Sequence, residues 1–150
     1  MSRVRFLALV VCLGLALAGA AAAWAAKHGL PAKVQLRSTK LGMILVNRRG
    51  FTVYAFTKDG PNHDAFQNIK LCIQAWPPVT SSGPPVAGAG VKPGLLGTIR
   101  LKNGRRQVTY SGHPLYTYIG DSSPGQTSFV NIRQFGGRWP ALNATGDEVK

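Results

Sequence analysis

A chain of 150 residues has room for one domain of ordinary size. Eighteen basic side chains against five acidic ones give a formal charge of +13, which disfavours basic partners and favours polyanions. The leader comes first along the chain. Arg3 and Arg5 make a short basic start, Phe6 to Ala26 is a 21-residue uncharged run, and Ala23-Trp24-Ala25 fits the small-x-small pattern of a signal-peptidase site. Residues 1–25 therefore read as a secretory signal. An uncleaved anchor is the competing reading, since the run is long enough to span a bilayer, but its Ala/Gly-rich second half suits cleavage better. Cys12 has too short an apolar stretch before it to be a lipid-attachment site.

Removing the leader takes away two arginines and leaves +11, two below the full chain's +13. The expected location is extracellular, or periplasmic within the cell envelope. Export makes DNA and RNA poor partners, leaving anionic envelope polymers or lipid headgroups as the accessible polyanions. A charge that serves only solubility is the plainer alternative. After processing Cys72 stands alone, so the core and not a disulfide must hold the fold.

Residues 26–40 read as a lead-in, and residues 41–146 as a single β-rich domain written twice, 41–79 and 96–142. The first copy runs Leu41-Gly42-Met43-Ile44-Leu45-Val46, a polar turn at Asn47 to Gly50, then Phe51 to Asp59. The second runs Leu96 to Leu101, a turn at Lys102-Asn103-Gly104, and on to Leu115-Tyr116-Thr117-Tyr118-Ile119-Gly120-Asp121. Both close on Trp-Pro, at Trp76-Pro77 and Trp139-Pro140, 17 and 18 residues after the aspartate. An insertion between Arg105 and Pro114 sets the second copy apart, and the Ser/Gly/Pro-rich stretch from Ser81 to Gly94 connects the two. Each copy is too small to bury a good core alone, so the two should pack as one pseudo-symmetric domain.

Density of β-formers predicts a hairpin from Met43–Val46 and Phe51–Thr57. A second is predicted from Gln107–Tyr110 and Leu115–Ile119, with a further strand over Thr127–Ile132. Asn103-Gly104 is the preferred tight-turn dipeptide, because both positions tolerate positive φ. Phe66, Ile69, Ile73 and Trp76 fall at helical spacing, with Asp64 as a candidate cap. The expected class is all-β, mainly antiparallel, with at most one short helix.

The shared core of the repeat is Tyr-x-aromatic-x-x-Asp: Tyr54, Phe56 and Asp59, then Tyr116, Tyr118 and Asp121. With Trp76-Pro77-Pro78, Gln107 to Tyr116 and Phe135-Gly136-Gly137-Arg138-Trp139, this resembles the bacterial secreted-repeat lipoprotein family over about residues 41–146. The resemblance implies an extracytoplasmic protein of that repeat fold, with no enzymatic activity to carry over. It also implies a cysteine shortly before the position of Cys72, where this chain has Phe66 or Asn68, so the corresponding bridge is absent. The family's usual lipid-attachment cysteine is missing as well, which points to a soluble or secreted member.

Residues two apart on a strand share a face, so Tyr54 pairs with Phe56 and Tyr116 with Tyr118. Two readings stay open. The aromatics, with Trp76 and Trp139, build the core while each aspartate caps its own turn; or they form a platform with an adjacent carboxylate suited to a sugar ring. Arg48 and Arg49 in the first turn, with Lys102, Arg105 and Arg106 around the second, are candidate anion-binding residues that pseudo-symmetry could gather into one patch. Solvated hairpin tips explain them equally well. His113 in its turn reads as a solvated or hydrogen-bonded residue.

The spacing of Asp59, His63, Asp64 and Cys72 matches no zinc or calcium loop, so no metal or other cofactor is expected. Neither a nucleophile elbow nor a catalytic carboxylate pair occurs, so the chain reads as a non-catalytic binding or structural module of the envelope. The alternative is a small periplasmic redox- or metal-associated protein using Cys72 and His63.

Overall fold

The structure, a computed structural model, describes residues 29–150. The folded body runs from Pro31 to Lys150; the leader, its cleavage motif and Cys12 lie outside the described residues. Two small sheets carry most of the ladder. In the first, β1 (Lys33–Thr39) lies between β2 (Gly42–Asn47), antiparallel to it, and β4 (Val86–Ala87), parallel to it. In the second, β6 (Arg106–Tyr110) is flanked by β5 (Leu96–Arg100) and β3 (Thr80–Ser81), and it folds back onto β7 (His113–Pro114). β8 (Arg133–Gln134) and β9 (Gly137–Arg138) form a separate ribbon. Among the described residues the helical content is α1 (Lys70–Ala75) and a single 3-10 turn at Pro93–Leu95. The all-β class with one short helix holds.

Alternation of side chains explains how so short a chain builds two core layers. Residues 52–56 are all buried. Val53 and Ala55 face an aliphatic cluster with Val34, Leu45, Val108, Tyr110, Leu115 and Leu142. Tyr54 and Phe56 face an aromatic cluster with Phe66, Trp76, Tyr116 and Trp139. The segment is a partition between two cores, so it reads as a continuous apolar run and not as a polar/apolar alternation.

Several local expectations change. β1 falls within residues 26–40, so the stretch read as a lead-in supplies the partner for β2, and Val34 is fully buried in the aliphatic core. Thr127–Ile132 is a run of turns, with Val130 N donating to Thr127 O and Ile132 N to Phe129 O. Its apolar residues pack against the aromatic core without needing a ladder. α1 starts after Ile69 with no side-chain cap, because Asp64 instead accepts from Phe66 N at 2.6 Å, tightening the turn ahead of the helix. At Asn103-Gly104 only Gly104 takes positive φ (81°). The Asn103 side chain accepts from Arg105 N, making a three-residue loop. Positive φ at both central positions occurs instead at Ser111-Gly112, which joins β6 to β7.

The first turn matches the second. Asn47 N donates to Phe51 O as Leu101 N does to Arg105 O, and Gly50 occupies the positive-φ position of Gly104. The two repeats therefore fold their turns the same way from different side chains.

Candidate functional site

The two copies meet on a pseudo-two-fold axis between Tyr54 and Tyr116, whose backbones exchange both hydrogen bonds at 2.9 Å. Moving outward, the pairing crosses from one repeat to the other. Ala55 N donates to Pro140 O while Thr117 N donates to Pro77 O; Thr57 N donates to Arg138 O while Ile119 N donates to Ala75 O. The motif segments, expected as strands over Phe51–Thr57 and Leu115–Ile119, are held by isolated bridges, and each is hydrogen-bonded to the Trp-Pro segment of the other copy. A single copy would leave both segments with unpaired backbone groups.

Side chains repeat the pattern. Trp76 and Trp139 stack on the axis, with ring centroids 4.0 Å apart and planes at 5°. Tyr54 meets Trp76 edge-on at 5.1 Å and Tyr116 meets Trp139 edge-on at 5.2 Å. The second aromatic of each motif crosses over: Phe56 packs on Trp139 and Tyr118 on Trp76, at 4.3 and 4.2 Å. Gln134 binds both indoles, Trp76 Nε1 through its side-chain oxygen and Trp139 Nε1 through its carbonyl. Gly137 has to be glycine, since a Cβ there would lie 2.5 Å from the Phe56 ring.

The motif aspartates complete the exchange. Tyr116 Oη donates to Asp59 Oδ2 at 2.7 Å, and Tyr54 Oη donates to both carboxylate oxygens of Asp121 at 3.1 and 3.2 Å. Asp59 also holds its own loop, accepting from Ala65 N. Among the described residues Asp121 accepts from no backbone N–H, so the expected self-capping turn applies to the first motif alone. Loss of water on burial pushes the Asp59 carboxyl up to about 6, against the pull of the Ala65 and Tyr116 hydrogen bonds. Burial likewise pushes Asp121 up to about 6, opposed by the Tyr54 hydroxyl. Burial first, then the facing aspartate's charge, drives both tyrosine hydroxyls far above their ordinary range, so they act as donors throughout.

Of the sequence-derived candidates, Tyr54, Phe56, Tyr116, Tyr118, Trp76 and Trp139 come together as one aromatic layer, with Asp59 and Asp121 at its margins. The turn residues separate. Arg49 borders a cavity of about 250 Å³ with Asn47, Phe51, Thr117, Tyr118 and Asp121. Lys102 and Arg105 border another of about 180 Å³ that includes Asp64 and Pro77. The first turn thus faces the second motif, and the second turn faces the Asp64–Pro78 region of the first repeat, so pseudo-symmetry yields two cationic rims and not one patch.

Arg48 donates to Pro31 O, Arg105 to Thr80 Oγ1, and Arg49 lies over the Phe51 ring at 5.1 Å. Arg106 is exposed at the start of β6, and His113 pairs with Tyr110 in β7. Cys72 is a free thiol within the aromatic core, and burial, with Asp64 and Asp59 adding to it, pushes its pKa up to about 12. His63 is exposed on the Asp59–Asp64 loop. Among the described residues no three His, Cys, Asp or Glu side chains gather where a metal could be held. Sequence reasoning missed Thr117, Gln134 and the role of Asn47, whose side chain accepts from Arg49 N and Phe51 N.

Fold and site thus define a duplicated β domain whose halves are cross-paired through their motif strands. The chain belongs to the family described as a secreted repeat of unknown function, whose model matches residues 35–80 and again residues 97–143. It is an exported protein of that family. No curated protein and no solved structure matches it. Among the described residues no helix is long and apolar enough to cross a membrane.

Proposed function

We propose that this protein is a non-catalytic binding module of the cell envelope, contacting an anionic envelope polymer or lipid headgroups through its hairpin cations. The observation that carries the reading is what the fold leaves unspent. The motif tyrosines donate to the motif aspartates across the repeats, and among the described residues the one ion pair joins Arg138 to Glu148. Arg48, Arg49, Lys102, Arg105 and Arg106 are all exposed and lack a carboxylate partner. Exposed cations with no carboxylate partner among the described residues, on a chain of strongly positive charge, gain most from neutralising a polyanion and releasing its counterions. The buried thiol and exposed imidazole give no comparable support to a redox or metal role for Cys72 and His63.

Co-sedimentation of residues 26–150 with isolated envelope material over a salt series tests this reading. Binding should fall steeply with salt, and replacing Arg48, Arg49, Arg105 and Arg106 together by alanine should abolish its salt-sensitive part. Unchanged binding by that variant would defeat the proposal.

A further inference from the structure

Three of the cations read as anion-binding residues border cavities, Arg49 one and Lys102 with Arg105 another, and the two cavities are not chemically equivalent. The cavity behind Lys102 and Arg105 has apolar Leu101 where the other has Asn47, and its lining has no aromatic ring. The cavity behind Arg49 combines a guanidinium, an amide, a hydroxyl, a carboxylate and the rings of Phe51 and Tyr118. We propose that this second cavity is a subsite for one acidic sugar residue of a polyanionic glycan. The inference rests on the polyanion reading above and names the chemistry of its ligand.

The mixture of groups is what selects a sugar over a bare anion. Asp121 would repel a phosphate or carboxylate placed in the middle of the cavity, but it accepts hydrogen bonds from hydroxyls. Both of its oxygens share a single donor, the Tyr54 hydroxyl, so acceptor capacity remains. Thr117 adds a hydroxyl whose own contact, to Pro77 O, is long at 3.4 Å. Tyr118 supplies an apolar wall against which the C–H face of a pyranose packs, while the Phe51 ring backs the Arg49 guanidinium. Arg49, whose guanidinium lies over the Phe51 ring, then meets the acidic group in the bidentate manner a guanidinium favours.

Size agrees with a single ring, since about 250 Å³ falls below the roughly 300–1,000 Å³ of sites for drug-sized ligands. The walls are tied together before any ligand arrives. Gly125 N donates to Gly50 O at 2.9 Å, and Thr52 Oγ1 donates to Gln126 O at 2.6 Å, joining the first turn to the loop that follows Asp121. Such pre-organisation lowers the ordering cost of binding.

The test is calorimetric titration of residues 26–150 with three probes of matched length: an oligogalacturonate, a neutral galactose oligomer and inorganic polyphosphate. The uronate should bind at least about tenfold more tightly than either other probe. Arg49→Ala should remove about tenfold of uronate affinity, as loss of a charged hydrogen bond does. Thr117→Val, which keeps the side-chain shape, should weaken uronate binding severalfold while leaving polyphosphate binding unchanged; thermal melts establish that both variants fold. Equal binding of uronate and polyphosphate, or uronate binding indifferent to both substitutions, would overturn the subsite. Envelope binding that survives while uronate fails also overturns it and leaves the polyanion reading standing. Loss of salt-sensitive envelope binding with retained uronate binding would sink the broader reading alone.

Discussion

The cross-repeat aspartates make the stability of this fold fall as pH rises from about 4 to about 6. Asp59 and Asp121 have pKa values raised from an ordinary 3.8 to about 6 by burial. The folded state therefore holds their protons more tightly than the unfolded chain does. The stabilisation from that preference is fully present below 3.8 and is lost as pH climbs through 6. Taken at face value the rise corresponds to about 3 kcal/mol for each group. Both carboxyls are only partly buried and solvent screens them, so about 1–1.5 kcal/mol apiece is the realistic figure. Urea unfolding at half-unit steps from pH 4 to pH 7 should show a decline of about 2–3 kcal/mol on that basis. The double variant Asp59→Asn with Asp121→Asn keeps an acceptor for each tyrosine and removes the titration. It should flatten the decline while every other group titrates as before. A wild-type profile that is level or rising over that range would refute the reasoning, as would a double variant that retains the slope.

Tyr116→Phe removes the hydroxyl that donates to Asp59 without opening a cavity. The expected loss at pH 7 is about 1.5–2 kcal/mol, and it should shrink at pH 4, where the acceptor is neutral and its hydrogen bond weaker; denaturant melts at the two values measure it. Cys72 should resist a maleimide reagent at pH 8 in the native protein and react promptly in denaturant, because its thiol is buried with a pKa near 12. Rapid native labelling would show that the aromatic core opens on the labelling timescale.

What could be read in the sequence was the local grammar and its duplication. The two Tyr-x-aromatic-x-x-Asp motifs, the Trp-Pro closures and the turn residues identified a repeated, strand-rich, exported chain. The reason is that turn chemistry and side-chain periodicity act between near neighbours. Where local rules failed, a distant segment had taken over. β1 is a strand because β2 and β4 offer it backbone partners, and Thr127–Ile132 is irregular because its apolar residues are satisfied by the aromatic core. Asp64 turned from capping a helix to tightening a turn. The pairing between copies lay beyond the reach of sequence altogether. Nothing in the spacing of Tyr54 and Asp59 says that each finds its partner 67 or 57 residues away, in Asp121 and Tyr116. That exchange follows from antiparallel pairing at the Tyr54–Tyr116 axis, which brings each motif strand alongside the other repeat's Trp-Pro segment. The same geometry decided the candidate site. Arg49 was legible as an exposed turn cation, but only the crossing of the repeats set it beside Thr117, Tyr118 and Asp121.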